Sequence, residues 1–110
     1  MVTTGGWASH YGPRGINGPI DDVLFPIQHG ILFYPGFDVL PAHVIYRSSR
    51  IDEASLPGVL EGLGARLDGL ASDPVIAYRR QNAGDYLIPS LELRPELAEG
   101  EAGLRVHLEP

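Results

Sequence analysis

Thr3-Thr4-Gly5-Gly6, followed by Trp7-Ala8-Ser9-His10 and closed off by Tyr11, decides how this sequence reads. The order suggests a strand whose C-terminal end spills into a loop. Glycines at such a point permit positive φ and let a flat ligand lie against the backbone. Their N–H groups, the threonine hydroxyls and the Tyr11 phenol are donors that can converge on one ligand edge. Taken alone, the four residues read as a plain Gly-Gly turn beside a solvated threonine pair. The residues that follow shift the balance.

Residues 1–6 read as a strand stub, because only Val2 supplies the apolar run expected of a strand inside a parallel sheet. Residues 7–19 form a long loop punctuated by Gly12-Pro13, Gly15 and Gly18-Pro19. A stretch of that length inside a compact domain is more often functional than idle. Residues 21–34 carry Val23, Ile27, Ile31 and Tyr34 at helical spacing, which predicts one apolar stripe. Pro26 calls for a helix start or a kink there, and Pro35-Gly36 ends the element. Gly30 beside the stripe is read as permitting close packing, and His29 as a surface or interface histidine. A strand is expected at about 42–47. The polar loop Arg47-Ser48-Ser49-Arg50 then lies at the strand end where α/β sheets gather ligands. Residues 52–71 form the second helix, with Leu56, Val59, Leu60, Leu63, Leu67 and Leu70 as a core-facing stripe and Asp52 or Ser55 as its cap. After Ser72-Asp73-Pro74, residues 75–78 read as a short extended piece. The remainder is a polar, proline-interrupted tail pinned by Leu87, Ile88, Leu91 and Leu93.

Composition narrows the function class. With 110 residues the chain can build one small domain with a modest core. Its net charge of −6 and lack of a basic run argue against nucleic acid. The absence of cysteine rules out disulfides and thiolate metal sites and suits the cytoplasm. No apolar run is long enough to span a bilayer, and no secretory signal is visible. His10, His29, His43 and His107 show no metal-ligand spacing, so no metal is expected. Ser9-His10 lacks a nucleophile elbow, and Gly15 and Gly18 spell neither a dinucleotide fingerprint nor a phosphate loop. Glu92, Glu96, Glu99 and Glu101 read as a solvated face.

Laid end to end, Val2-Thr3-Thr4-Gly5-Gly6 with Tyr11, Gly15-Ile16 and Gly18 resembles the NAD(P)H:quinone oxidoreductases, flavodoxin-like FAD-dependent quinone reductases. The run Leu24-Phe25-Pro26-Ile27-Gln28-His29-Gly30-Ile31-Leu32 is similar to that family's LWPIQSGIL. Gly36-Phe37-Asp38-Val39-Leu40 resembles its GFxVL, and Leu60-Glu61-Gly62 with Arg66-Leu67 resembles its final helix. The resemblance runs from Val2 to about Leu70 and fades in the tail.

It implies an α/β fold: the C-terminal portion of a flavodoxin-like doubly wound parallel sheet over 1–72, followed by an irregular, extended tail over 73–110. It also implies bound FAD, with FMN as the alternative, NAD(P)H as co-substrate, a quinone as acceptor, and a homodimer or a dimer with a full-length relative. Thr3, Thr4, Gly5, Gly6 and Tyr11 would then line the flavin. Tyr11 would be the catalytic phenol, and Tyr34 would close the quinone pocket of the other subunit. Asn17 stands where the family has its relay histidine, and asparagine cannot take up a proton at neutral pH. The family's N-terminal half, with its phosphate-binding loop, has no counterpart here. The expectation is therefore a truncated chain that alone is inactive, folds poorly and binds FAD weakly. A non-catalytic module that pairs with a full-length relative is the other reading.

Overall fold

Val2 and Thr3 form a two-residue strand, β1, that pairs in parallel with Val44 and Ile45, β2. The register sets Val2 opposite Val44 and Thr3 opposite Ile45. The Val2 N–H donates to the His43 carbonyl at 2.9 Å and the Thr4 N–H to the Ile45 carbonyl at 2.9 Å. The computed structural model describes residues 1–110. The chain is α/β, with β1 and β2 as its only sheet. Its contacts divide it into two compact units, one of Met1–Leu24 and Leu40–Val75, the other of Phe25–Val39 and Ile76–Pro110.

In the first unit, a parallel pair needs a long crossover, and here the chain between the strands includes the helix α1, Ile20–Phe25. After β2 comes a 3-10 turn, Ser48–Arg50, and then α2, Leu56–Gly69. Just before α2, the Ser55 N–H donates to an Asp52 carboxylate oxygen at 2.9 Å, and Ser55 Oγ accepts from the Asp52 N–H at 3.0 Å. The Ser55 hydroxyl also donates to that carboxylate at 2.7 Å, and the bonds reaching the carboxylate, this one first among them, hold the Asp52 carboxyl below its ordinary range. At the far end, Arg66 pairs with Asp73 and donates to the Pro41 carbonyl at 2.7 Å, which ties the helix back to the chain before β2. The leucine stripe expected to face a core is largely exposed: Leu67 is 57% accessible and Leu56, Leu60 and Leu70 are also open, while Val59 and Leu63 are half-buried. Two two-residue strands offer the helix little to cover.

The second unit begins where the first predicted helix changes character. At Pro26 the α-helix gives way to a π-helix, Pro26–Phe33. Proline removes the N–H that would close the α turn and crowds the preceding carbonyl. Wider i→i+5 bonding follows, as in Tyr34 N–H to His29 carbonyl at 2.9 Å. The buried face is also not the predicted one. Leu24 and Gln28 are buried, whereas the expected stripe of Val23, Ile27, Ile31 and Tyr34 points outward, with Ile31 63% accessible. Gly30 has open space rather than a close neighbour.

The tail is anchored differently from expectation. Residues 77–79 run antiparallel to 107–109: the Arg79 N–H donates to His107 and the Glu109 N–H to Ala77, at 2.9 and 2.7 Å, around a Tyr78–Leu108 bridge. Tyr78 and Tyr86 are buried, Tyr78 to 5% accessibility, while Leu87, Ile88 and Leu91 are exposed. Aromatic rings rather than leucines pin this segment, since each buries more area and can stack edge-on.

Candidate functional site

Parallel strands end at the same edge of a sheet, so the loops after β1 and β2 are brought together. The Ser48 N–H donates to the Thr4 carbonyl at 2.9 Å, and the Arg47 N–H to the Gly6 carbonyl at 2.9 Å. To make that turn Arg47 adopts a left-handed backbone at φ 53°, a conformation that costs a non-glycine residue free energy and that clusters at functional sites. Its guanidinium lies 3.7 Å over the Trp7 ring, where the ring quadrupole attracts the charge.

Within this cradle the Thr4 hydroxyl and the Tyr11 hydroxyl are 2.7 Å apart, and Thr4 Oγ1 also accepts from the Gly6 N–H at 3.2 Å. Thr4 is thereby committed to holding the phenol. The Gly5 N–H makes no hydrogen bond within the chain, and Thr3 and Gly5 are exposed. Tyr11 sits on a 3-10 turn, Ala8–Tyr11, with its ring 5.9 Å from that of Tyr46. A Cβ on Gly6 would meet the Tyr11 ring at 2.9 Å and His10 Nδ1 at 3.2 Å. His10 is thus a near neighbour of the phenol. Asn17 is exposed, and its backbone N–H donates to the His10 carbonyl at 2.9 Å. The structure therefore gathers Thr3, Thr4, Gly5, Gly6 and Tyr11 at one sheet edge. An unpaired N–H, a threonine hydroxyl and a positioned phenol fit the polar edge of a flat ring, and the glycines leave the approach free of side chains.

Tyr34 belongs to the second unit, where it lines a cavity of about 600 Å³ between the π-helix and the tail. His29 stacks on Phe25 at 4.6 Å and meets Tyr78 edge-on at 4.9 Å. Its ring centre is 5.7 Å from that of His107. His107 Nδ1 is 2.9 Å from the Tyr86 hydroxyl. Burial, and then the His107 charge, pushes His29 below its ordinary imidazole value. Burial, and then Arg79, does the same to His107. Burial raises Tyr86, with Asp85 adding to the rise and Arg79 opposing it. The phenol thus stays protonated at neutral pH and can donate to a neutral imidazole.

The sequence reading left this cluster out. Phe25, His29 and Phe33 at spacing four were the available signal, but the tail partners Tyr78, Tyr86 and His107 lie too far along the chain for spacing to reveal. No cluster of three or more potential metal ligands occurs.

No family model matches the chain. Individual proteins do. A ribosyldihydronicotinamide dehydrogenase-like protein, traD, of Penicillium crustosum is 50% identical over 93 residues, 84% of this chain and 34% of that protein. NAD(P)H dehydrogenase (quinone) 1 of Rattus norvegicus is 39% identical over 110 residues, 96% of this chain and 40% of that protein. The crystal structure of a protein named as a quinone reductase from Klebsiella pneumoniae superposes with a TM-score of 0.95 at 61% identity, covering 98% of this chain and 42% of the other. The chain thus spans between 34% and 42% of the length of these relatives.

Proposed function

This chain belongs to the quinone reductase family, and on that premise we propose that it supplies one side of the site of a flavin-dependent NAD(P)H:quinone oxidoreductase. The observation that carries the reading is the Thr4–Tyr11 hydrogen bond of 2.7 Å, which holds a phenol beside an unpaired glycine N–H at the C-terminal end of β1. Residues 1–72 would be part of a flavodoxin-like domain and 73–110 its tail. The proposal includes FAD as the flavin, a dimer, and a cytoplasmic setting. No helix is long and apolar enough to cross a membrane.

Flavin, when bound, supplies the hydride-accepting and hydride-donating chemistry. The chain's own residues hold and charge-stabilise its edge. Gly5 offers a backbone N–H, and Thr3 a hydroxyl. Tyr11, held by Thr4, offers an O–H to an atom that gains negative charge, and such preorganised donors lower the barrier. With asparagine at 17, His10, whose ring lies beside the same glycine as the phenol, is the group we assign to exchange its proton.

The test is to saturate the purified chain with FAD, remove free flavin and follow quinone-dependent oxidation of NADH. Weakly held flavin that NADH bleaches and 1,4-benzoquinone restores would support the catalytic reading and overturn the expectation that the chain alone is inactive. Tyr11→Phe should slow turnover by about a hundredfold while retaining flavin, and His10→Ala should alter the pH profile. A chain that holds no flavin sinks the catalytic reading for these residues alone. It would favour the second reading, a module that docks on a full-length relative through exposed apolar residues such as Ile27, Ile31 and Leu32.

A further inference from the structure

The loop after β2 reaches the polar edge that β1 forms. Its backbone is tied there twice, by the Ser48 N–H to the Thr4 carbonyl and by the Arg47 N–H to the Gly6 carbonyl, both at 2.9 Å. Its side chains come close as well. Ser49 Oγ stands 4.0 Å from where a Cβ on Gly5 would be, so a hydroxyl without a partner in the chain lies near the unpaired Gly5 N–H. Arg47 is exposed and yet held. Its backbone is left-handed, at φ 53°, and its guanidinium rests 3.7 Å over the ring of Trp7, the residue that follows Gly6. Stacking leaves the rim of the guanidinium open, and none of its N–H groups enters a hydrogen bond or ion pair in the chain. Arg14 and Arg50 are also exposed and unbonded, but no ring contact fixes their side chains. Asn17 brings no charge to this edge at any pH.

From this arrangement we infer that Arg47, stacked on Trp7, is the charge-compensating residue of the flavin edge: a permanent cation that favours reduced, negatively charged flavin over the oxidised form and stands in for the charge that asparagine at 17 cannot carry. The inference rests on the flavin reading above. A guanidinium stays protonated throughout the range in which proteins work. Held by the ring quadrupole, it has little to rearrange when negative charge appears beside it, which is the condition for preorganised stabilisation. Donors such as the Gly5 N–H meet both redox forms of a ligand, whereas a full charge separates them. At an edge open to water the attraction is screened, so it is worth a several-fold preference rather than orders of magnitude. In a chain of net charge −6, one fixed cation here also offsets the repulsion that the remaining charges exert on an anionic ligand.

The experiment is anaerobic calorimetric titration of the whole chain with oxidised FAD and with photoreduced FAD. The ratio of the two dissociation constants reads the preference for reduced flavin without any turnover. The parent chain should bind reduced FAD more tightly. Arg47→Gln should cut that preference by about fivefold, mainly by weakening the reduced complex, and Arg47→Lys, which keeps the charge, should retain most of it. Raising salt to about 0.5 M should shrink the preference in the parent and leave it nearly level in Arg47→Gln. A preference in Arg47→Gln equal to the parent's overturns the inference and leaves the flavin reading standing. So does an equal loss of affinity for both redox forms, the mark of a purely structural role. Binding of neither form by the parent overturns the flavin reading and the inference with it.

Discussion

An alanine Cβ at position 15 would stand 2.2 Å from the carbonyl oxygen of His10 and 2.5 Å from that of Ser9. Backbone cannot swing aside as a side-chain tip can. Gly15→Ala should therefore cost about 1–3 kcal/mol of stability and loosen the turn that carries Tyr11, read as a lower midpoint in urea. Gly6 meets only the Tyr11 and His10 rings, so its substitution would displace the phenol rather than the fold. The sequence marked Gly15 as loop punctuation and Gly6 as part of the ligand-facing stretch, but it could not show which faced backbone, because that contact is made by residues folding back through space. The histidines give a second residue-level expectation. His29 and His107 both have folded values below the ordinary 6.5. The unfolded chain thus binds protons that the folded chain refuses. Their contribution is fully present above pH 6.5 and is lost as pH falls through the lowered folded values. Thermal midpoints measured below that point should drop, and His29→Gln with His107→Gln should flatten the dependence. An unchanged slope in the double variant would show that other groups govern it.

Elements show where periodicity informs and where it misleads. Helical spacing predicted helices over 21–34 and 52–71, close to the observed 20–33 and 56–69, and Pro26 was legible as a disturbance. The form of that disturbance, an α-helix continuing as a π-helix, depends on how the chain satisfies its carbonyls after losing one N–H. The buried face is that of Leu24 and Gln28, one residue on from the predicted stripe, and Val23 is already exposed before the pitch changes. In α2 the pattern correctly gave a helix and wrongly gave its buried side, since amphipathicity names a face but not the partner that covers it. Gly62 and Gly64 lie inside α2 with nothing within 4 Å of an added Cβ. Each should be replaceable by alanine with a gain of about 0.5–1 kcal/mol, measurable as a raised thermal midpoint; a loss at either position would mean that something packs there in solution.

At the scale of the whole chain, the accessible surface is 7854 Å², whereas a folded monomer of 11.9 kDa exposes about 5,900 Å². No large side chain is fully buried, and apolar residues such as Ile27, Ile31, Phe37 and Leu60 stand open. Surface of that kind drives association. Sedimentation of the purified chain should show species heavier than a monomer, growing with salt concentration; a single monomeric boundary at high salt would contradict it. The family was legible in short blocks of sequence, from the threonine-glycine stretch to the run around Pro26, because they meet backbone constraints that few residues satisfy. The cavity of the second unit was not, since its walls come from positions 29 to 107. One last property follows from the guanidinium of Arg47 lying over Trp7. Trp7 is the sole tryptophan, so the chain carries a built-in optical reporter confined to its first unit, while the imidazole resonances of His29 and His107 report on the second. Emission that shifts at one temperature and ring signals that collapse at another would reveal two melting events within a single polypeptide; coincident curves would mean that the halves stand or fall as one.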